Sequence, residues 1–362
     1  MGRWSNYFLD RDFQGFWTKL LHKDPSVCVV MGIGFDPRSL TVVDTISAIP
    51  WSGTLSCFTI CLRPPTSELS ENYVKLEKLT EKNIEALRAN PRVTVSSYDE
   101  LSLRDEEGHL IGGRSATLKI ADNLAKIAAH KHVIVDISGL PRTVFYPLIK
   151  FLCKKSDDGI IENLHIAVTE DSDLDRRIKS GEFGNPDYLF SFRPDVPDGL
   201  KLIWLPAISS GESSRLEKIH NQIERDCAEI CPILPFPARD LRRADEIIMR
   251  LRSILFERML VSENNLLLCD EESPFDIYRK ILDVDDYYRE TLSRLDGLSE
   301  IRTVVSPMAS KMLSLGMLLA SIERNLAVSY TEAGSYEIEG DFSDFEGNLS
   351  PVEIWLTGEA YS

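Results

Sequence analysis

The sequence predicts an α/β fold with two tandem Rossmann-like halves, each a mostly parallel sheet with helices on both faces. Three observations predict it. Continuous apolar runs of strand length, such as Val27-Cys28-Val29-Val30-Met31 and Val133-Ile134-Val135, alternate with helix-length segments, as expected for strands covered on both faces. Several runs end in Gly, Ser or Asp just before a helix, the form of a right-handed strand-to-helix crossover. The order of these endings also recurs. Pro237 to Arg243 stands in the place of Gly34 to Arg38, and Asp270 to Asp276 in the place of Arg63-Pro64-Pro65-Thr66. Ser306 to Lys311 matches Asp136 to Arg142, and Thr331-Glu332-Ala333 matches Thr169-Glu170-Asp171.

The 362 residues suffice for two domains of ordinary size, and 43% hydrophobic against 27% charged residues allows real cores. A net charge of −16 excludes a general binder of long nucleic acid, because neutralising a phosphate backbone needs clustered Lys and Arg. Seven Cys, an odd number set mostly in apolar runs, point to reduced thiols and a cytoplasmic location. Cys227 and Cys231 stand four apart without a second pair, so they read as thiols and no metal is expected. Met1 to Lys23 lacks the basic-then-apolar form of a signal peptide. The longest apolar helix, Met312 to Ile322, is too short to span a bilayer, so no membrane association is expected.

Taken in order, residues 1–25 form an aromatic helix, with Trp4, Tyr7, Phe8, Phe13, Phe16 and Trp17 in one stripe from Trp4 to Leu21. It either packs on the domain or docks a partner. Residues 26–205 form the first Rossmann-like half. Its first strand ends in Gly32-Ile33-Gly34-Phe35-Asp36-Pro37-Arg38-Ser39, where glycine permits a tight turn and close backbone approach. Ser56 to Leu62 is the next strand, Glu71 to Ala89 a charged helix, and Val93-Thr94-Val95 a short strand. Asp105 to Ser115, with Gly108, Gly112 and Gly113, reads as a surface turn, or as a lid over the site, before a helix from Ala116 to Ala129. Val133 to Ile137 and Asn163 to Val168 are strands, and Asp173 to Phe192 leads out to the surface. Residues 206–340 form the second half, with a boundary near Pro206 and a Ser209 to Arg215 loop that caps a helix. Residues 341–362 are an acidic, aromatic tail with Phe342, Phe345, Trp355 and Tyr361, in which Ile354-Trp355-Leu356 has strand character.

Ligands of open parallel sheets bind beyond the carboxyl ends of the strands. The candidate ligand-binding residues there are Asp36, Arg38, Asp136, Ser138, Arg142 and Glu170 in the first half. In the second they are Arg239, Asp276, Ser306, Ser310, Lys311 and Glu332, with Asp240, Arg242 and Arg243 nearby. Guanidinium, ammonium and hydroxyl groups suit phosphate or carboxylate, and the acids suit ribose hydroxyls. Ser306-Pro307-Met308-Ala309-Ser310-Lys311 between strand and helix is the strongest such cradle, because the helix N-terminus adds unpaired N–H groups and a partial positive charge. No Walker loop, His-Glu-x-x-His, complete nucleophile elbow or metal-spaced carboxylate cluster occurs. His130 and His132 flank a strand start, where exposure is expected. Binding is therefore favoured over catalysis.

Two stretches carry resemblances. Gly32-Ile33-Gly34-Phe35-Asp36-Pro37-Arg38 resembles the first motif of the leucine carboxyl methyltransferase group, which implies S-adenosylmethionine as cofactor. The run from Val305 to Gly316, with Ser306, Ser310 and Lys311, is similar to the ligand-binding motif of CARF and SAVED domains, Rossmann-like sensors of cyclic or linear oligonucleotides in prokaryotic antiviral defence. That resemblance implies a nucleotide sensor or adaptor in a multi-protein system. A protein partner gripped by the aromatic ends, Trp4 to Trp17 and Phe342 to Trp355, is the third expectation, that of a non-catalytic interaction subunit.

Overall fold

The computed structural model describes residues 2–63, 71–194, 201–209, 211, 213–292, 301–340, 342 and 349–361, and it has an α/β fold. Pro64 to Thr66, Ser210, Glu212 and Phe345 of the sequence reading lie outside the described residues. Two compact units are formed. Unit A comprises Tyr7–Glu182 and Gly334–Ser362, and unit B comprises Met1–Asn6 and Phe183–Ala333.

Unit A opens with β1 (Phe8–Asp10), α1 (Phe13–Lys23), β2 (Val27–Ile33), α2 (Thr41–Ala48), β3 (Leu55–Arg63), α3 (Glu71–Ala89) and β4 (Val93–Ser102). It continues through α4 (Gly112–Asp122), α5 (Leu124–Ile127), β5 (His132–Asp136), α6 (Arg142–Asp157), β6 (Asn163–Val168), α7 (Ser172–Arg177) and β7 (Ile178–Ser180). Unit B contains β8 (Asp187–Tyr188), β9 (Lys201–Ala207), α8 (Ser213–Ile223), β10 (Cys227–Ile230), β11 (Ile233–Pro235), α9 (Arg243–Arg252) and β12 (Leu267–Cys269). Then follow α10 (Pro274–Leu292), β13 (Ile301–Pro307), α11 (Lys311–Arg324) and β14 (Ala327–Tyr330). The chain returns to unit A for β15 (Tyr336–Ile338), which pairs with β7, and β16 (Val352–Thr357).

The sheet of unit A runs β1-β16-β6-β5-β2-β3-β4, and that of unit B runs β12-β11-β9-β13-β14-β8. In A the strands from β4 to β6 are mutually parallel and β16 is antiparallel to β6. In B those from β12 to β14 are parallel and β8 is antiparallel to β14. Numbered along the chain, the parallel strands of both sheets read 3-2-1-4-5. This is the doubly wound order, whose crevice opens between strands 1 and 4. In A these are β2 and β5; in B they are β9 and β13. The same order in both units is a property of the fold.

Four details differ from the sequence reading. The boundary expected near Pro206 falls inside β9, the central strand of unit B, because residues 201–207 pair with β13 along their whole length and are buried from Leu202 on. The correspondence between the halves is consequently shifted by one strand for its first two members. Residues 227–235 lie along one edge of β9 as β10 and β11, interrupted near Pro232, which has no N–H to donate. The loop ending in Arg239 thus matches that after β3, and the Asp270 loop that after β4. Val93 to Val95 extends to Ser102, since β4 is an edge strand with polar, half-exposed residues. Finally, the stripe from Trp4 to Leu21 is not one helix. Asp12 caps α1 by accepting from Gly15 N at 3.0 Å, so the helix starts at Phe13.

Both cores are apolar and closed. In A, Phe13, Trp17 and Leu21 of α1 cover β2 and β5, and β2, β5 and β6 are buried along their lengths. In B, α8 and α9 bury Leu216, Ile219, Ile247 and Leu251 against Trp204 and Val304. The aromatic ends are part of these cores. Trp4 packs edge-on against Tyr278 in B, while Trp17, Phe342 and Trp355 are buried in A. Trp4, Trp17, Phe342 and Trp355 thus pack within their own units, whereas Tyr7 and Tyr361 are exposed. Among the described residues, no helix is long and apolar enough to cross a membrane.

Candidate functional site

In each unit the site expected from the strand order lies where the loops after strands 1 and 4 meet. In unit A these are residues 34–40 after β2 and 137–141 after β5. The second loop lies close against the end of β2 and against the first loop at Gly139, where a Cβ would lie 2.6 Å from Gly32 O and 2.8 Å from Ser39 Oγ. No other residue type fits that approach without movement. Asp136 ends β5, is buried, and accepts from Ser138 N at 2.9 Å through Oδ1. Ser138 Oγ in turn accepts from Thr169 N at 2.8 Å, which joins the ends of β5 and β6. Two hydroxyls in these segments, Ser39 Oγ and Thr169 Oγ1, are fully buried and have no hydrogen-bond partner among the described residues. Leaving such a group unpaired costs about 1–3 kcal/mol.

Arg142 is the first residue of α6 and is half-buried; Glu170 follows β6 and is also half-buried. Asp36 and Arg38 are placed differently from expectation. Asp36 caps the short 3-10 turn after β2 by accepting from Arg38 N at 2.9 Å, and it also accepts from the Arg38 guanidinium at 2.7 Å. Arg38 Nη1 donates to Asp175 Oδ1 on α7 at 2.7 Å. Arg38 is 5% exposed, and although burial opposes its charge, Asp36 and Asp175 outweigh that and hold its pKa above the ordinary value. Both residues are committed to an internal ion pair that locks α7 to the β2 turn.

In unit B the loops meet through other chemistry. Ser209 Oγ donates to Met308 O at 2.9 Å, and Met308 N donates to Ala207 O at 3.1 Å. Met308 is buried and occupies the centre of the turn. Ser306 is fully buried and accepts from Trp204 Nε1 at 2.9 Å, so this hydroxyl serves the core. Ser310 is the N-cap of α11, accepting from Leu313 N at 3.3 Å, and Lys311 is the first helical residue, half-buried. Gly316 is a packing residue: a Cβ there would lie 2.0 Å from Pro274 O on α10.

The other candidates of unit B form a second cluster. Arg239 donates to Glu272 Oε1 at 2.8 Å and Arg243 is paired with Glu271, tying the loops after β11 and β12. Asp276 accepts from Asp270 N at 2.9 Å and from Lys280 at 2.7 Å. Asp240 accepts from Arg242 N at 3.0 Å. Glu332, after β14, is buried. The expected convergence of these residues on one crevice with Ser306 and Lys311 is thus replaced by a loop-to-loop ion-pair cluster, because β11 and β12 lie on the opposite side of β9 from β13. Ser39 and Thr169 stood in quoted strand-end runs, but nothing in their identity distinguished an unclaimed hydroxyl from a capping one.

One further correspondence follows from the strand order. The helix after strand 4 opens on a cation in both units, Arg142 in α6 and Lys311 in α11, and neither helix has an acid in its first turn. A cation at that end opposes the helix dipole, and an anion bound there would offset it. The β3 strand ends in Arg63, which contacts Glu77, Glu81 and Glu100 at 2.6–3.2 Å. Among the described residues, no cluster of three or more His, Cys, Asp or Glu could hold a metal ion.

No protein-family model matches this chain, and no curated protein matches it. Solved structures similar to it include the cytoplasmic domain of a prokaryotic cation chloride cotransporter, at 12% identity and a TM-score of 0.22, covering 85% of this chain and 95% of that one. A universal stress protein from Archaeoglobus fulgidus DSM 4304 is similar at 9% identity and a TM-score of 0.26, covering 85% of this chain and 97% of that one. Likenesses at these scores carry no argument about function. The chain is a tandem α/β protein of Rossmann-like class on its own strand order.

Proposed function

We propose that this protein binds a nucleotide or similar phosphorylated ligand and acts as a sensor or adaptor in a multi-protein system. Its two units are read as an internal duplication, and antiviral defence as the setting that the resemblance to CARF and SAVED domains implies. One observation carries this reading: Arg142 and Lys311 begin the helix after the fourth strand of each sheet, with no acid in either first turn. A phosphate there would meet N–H groups, the positive end of a helix and a full charge together. The unclaimed hydroxyls of Ser39 and Thr169 favour unit A as the occupied site. A cytoplasmic location fits seven free cysteines, six of them buried. The S-adenosylmethionine reading is set aside, since Asp36 and Arg38 are spent on each other and on Asp175, and β3 ends in Arg63 where a ribose-binding acid would be needed.

Thermal unfolding of the full chain tests it, against mononucleotides, cyclic oligonucleotides, S-adenosylmethionine and inorganic phosphate. A ligand of the native state at 100 times its Kd adds about 2.7 kcal/mol. The expected result is an upward shift with one phosphorylated class, abolished by Arg142→Ala and preserved in Lys311→Ala. A panel without any shift would remove the reading, and loss only in Lys311→Ala would move the ligand to unit B.

A further inference from the structure

The N-terminal helix and the C-terminal strand of unit A are joined by a buried run of polar groups that the ligand site does not use. Trp17 Nε1 on α1 donates to Glu353 Oε2 on β16 at 2.9 Å. Glu353 Oε1 lies 2.7 Å from His165 Nδ1 on β6, and His165 Nε2 lies 3.1 Å from His132 Nδ1 on β5. All four side chains are fully buried, and Trp355 covers the His165 ring with a centroid separation of 4.8 Å. The run stops at His132 Nε2, which is buried and has no hydrogen-bond partner among the described residues. The sequence reading expected His132 to be exposed; its register opposite Asn163 turns it inward instead.

Hydrogen counting limits the states of this run. Each of the two links to His165 needs one hydrogen between its heavy atoms, so two protons satisfy both links. With His132 Nε2 bare, the three titratable groups then carry one net negative charge. A third proton, on His132 Nε2, makes them neutral. Among the described residues no Lys or Arg pairs with Glu353, and the charged group that acts on it from β1 is Asp10, which disfavours its ionisation further. Beyond His132 stand Lys131, Asp24 and Glu359, with Lys131 bonded to the two carboxylates at 2.9 and 3.0 Å. From α1 and β16, Trp17 and Trp355 contribute no charge. A negative charge without a cation in an interior is expensive, and taking up a proton removes it.

We infer that Glu353, His165 and His132 hold three protons in the native state, one more than a carboxylate and two neutral imidazoles, so that a single buried proton latches α1 and β16 onto the sheet of unit A. The environment agrees in direction. Burial pushes Glu353 well above the ordinary carboxylate range, and burial, with His165 as the second cause at His132, pushes both imidazoles down to about 3.

The pH dependence has a defined sign. In the unfolded chain Glu353 ionises near 4.5 and the imidazoles near 6.5. Above about pH 6.5 the unfolded state holds two of these protons and the native state three, so the latch weakens as pH rises toward the raised pKa of Glu353. Below about pH 6.5 the unfolded imidazoles gain protons that the native state refuses, so it weakens as pH falls. The contribution is greatest near pH 6.5. On the alkaline side the folding constant falls about tenfold per pH unit.

Urea unfolding of the full chain between pH 5 and 9 tests the latch with the wild type and Glu353→Gln, whose amide keeps a donor for His165 and an acceptor for Trp17 but cannot ionise. The expected result is an alkaline decline in the wild type that is reduced by about tenfold per pH unit in Glu353→Gln. Equal declines in both would overturn the proposal. Should Glu353→Gln not fold, imidazole 15N shifts of the wild type at pH 7 decide: a proton on His132 Nε2 supports the latch, and a bare Nε2 refutes it.

Discussion

Units A and B share one strand order and differ in how the turn after strand 4 is filled. In A, the turn after β5 is held by backbone approach between Gly139 and Gly32, and two neighbouring hydroxyls are unclaimed. In B, the turn after β13 is filled by Met308, tied by Ser209, and its best hydroxyl, Ser306, is taken by Trp204. A shared topology fixes where a crevice can be, and the side chains at the turn decide whether any polar capacity is left there. The more motif-like stretch, Ser306 to Lys311, is therefore the more structural one.

Three substitutions would break or sharpen this contrast. The largest effect is expected for Gly139→Ala, whose Cβ meets Gly32 O and Ser39 Oγ at 2.6 and 2.8 Å; overpacking against backbone costs about 3 kcal/mol. A urea midpoint unchanged in this variant would mean that the two turns of A are not in close contact. Next, Ser306→Ala strands the buried Trp204 Nε1 and costs about 2 kcal/mol, measured in the same way, with ligand-induced shifts unaltered. Loss of a ligand shift in that variant would return Ser306 to the binding site. The smallest effect belongs to Ser39→Ala, which removes a buried hydroxyl without a partner among the described residues and is expected to raise the stability of the unliganded chain by about 1 kcal/mol. Its use is as a ligand probe: a weaker thermal shift there, beside an unliganded stability that has not fallen, would assign Ser39 to the site.

The chain also shows how local and distant information divide. Continuous apolar runs such as 27–31 and 133–135 determined the buried strands, because a strand covered on both faces leaves no polar alternation. Ser310 before an apolar stretch determined the start of α11, and the Asp136–Ser138 and Ser310–Lys311 turns were legible as strand-to-helix junctions. The shift of the repeat by one strand was not legible, since Pro232 splits a strand in a way that composition reads as continuous and the true first strand, β9, was placed at a boundary. Nor was the fate of charged and aromatic residues. Arg38, Arg239 and Asp276 look free in sequence because their partners, Asp175, Glu272 and Lys280, are chosen by folding. Trp17 and Glu353 lie at opposite ends of the chain, and the pairing of β16 with β1 and β6 brings them together. By itself the sequence determined fold class, strand identity and helix starts, which depend on neighbours within a few residues. Which polar groups stay available for a ligand was decided by tertiary structure, because a hydroxyl or guanidinium bonds whatever the fold sets beside it.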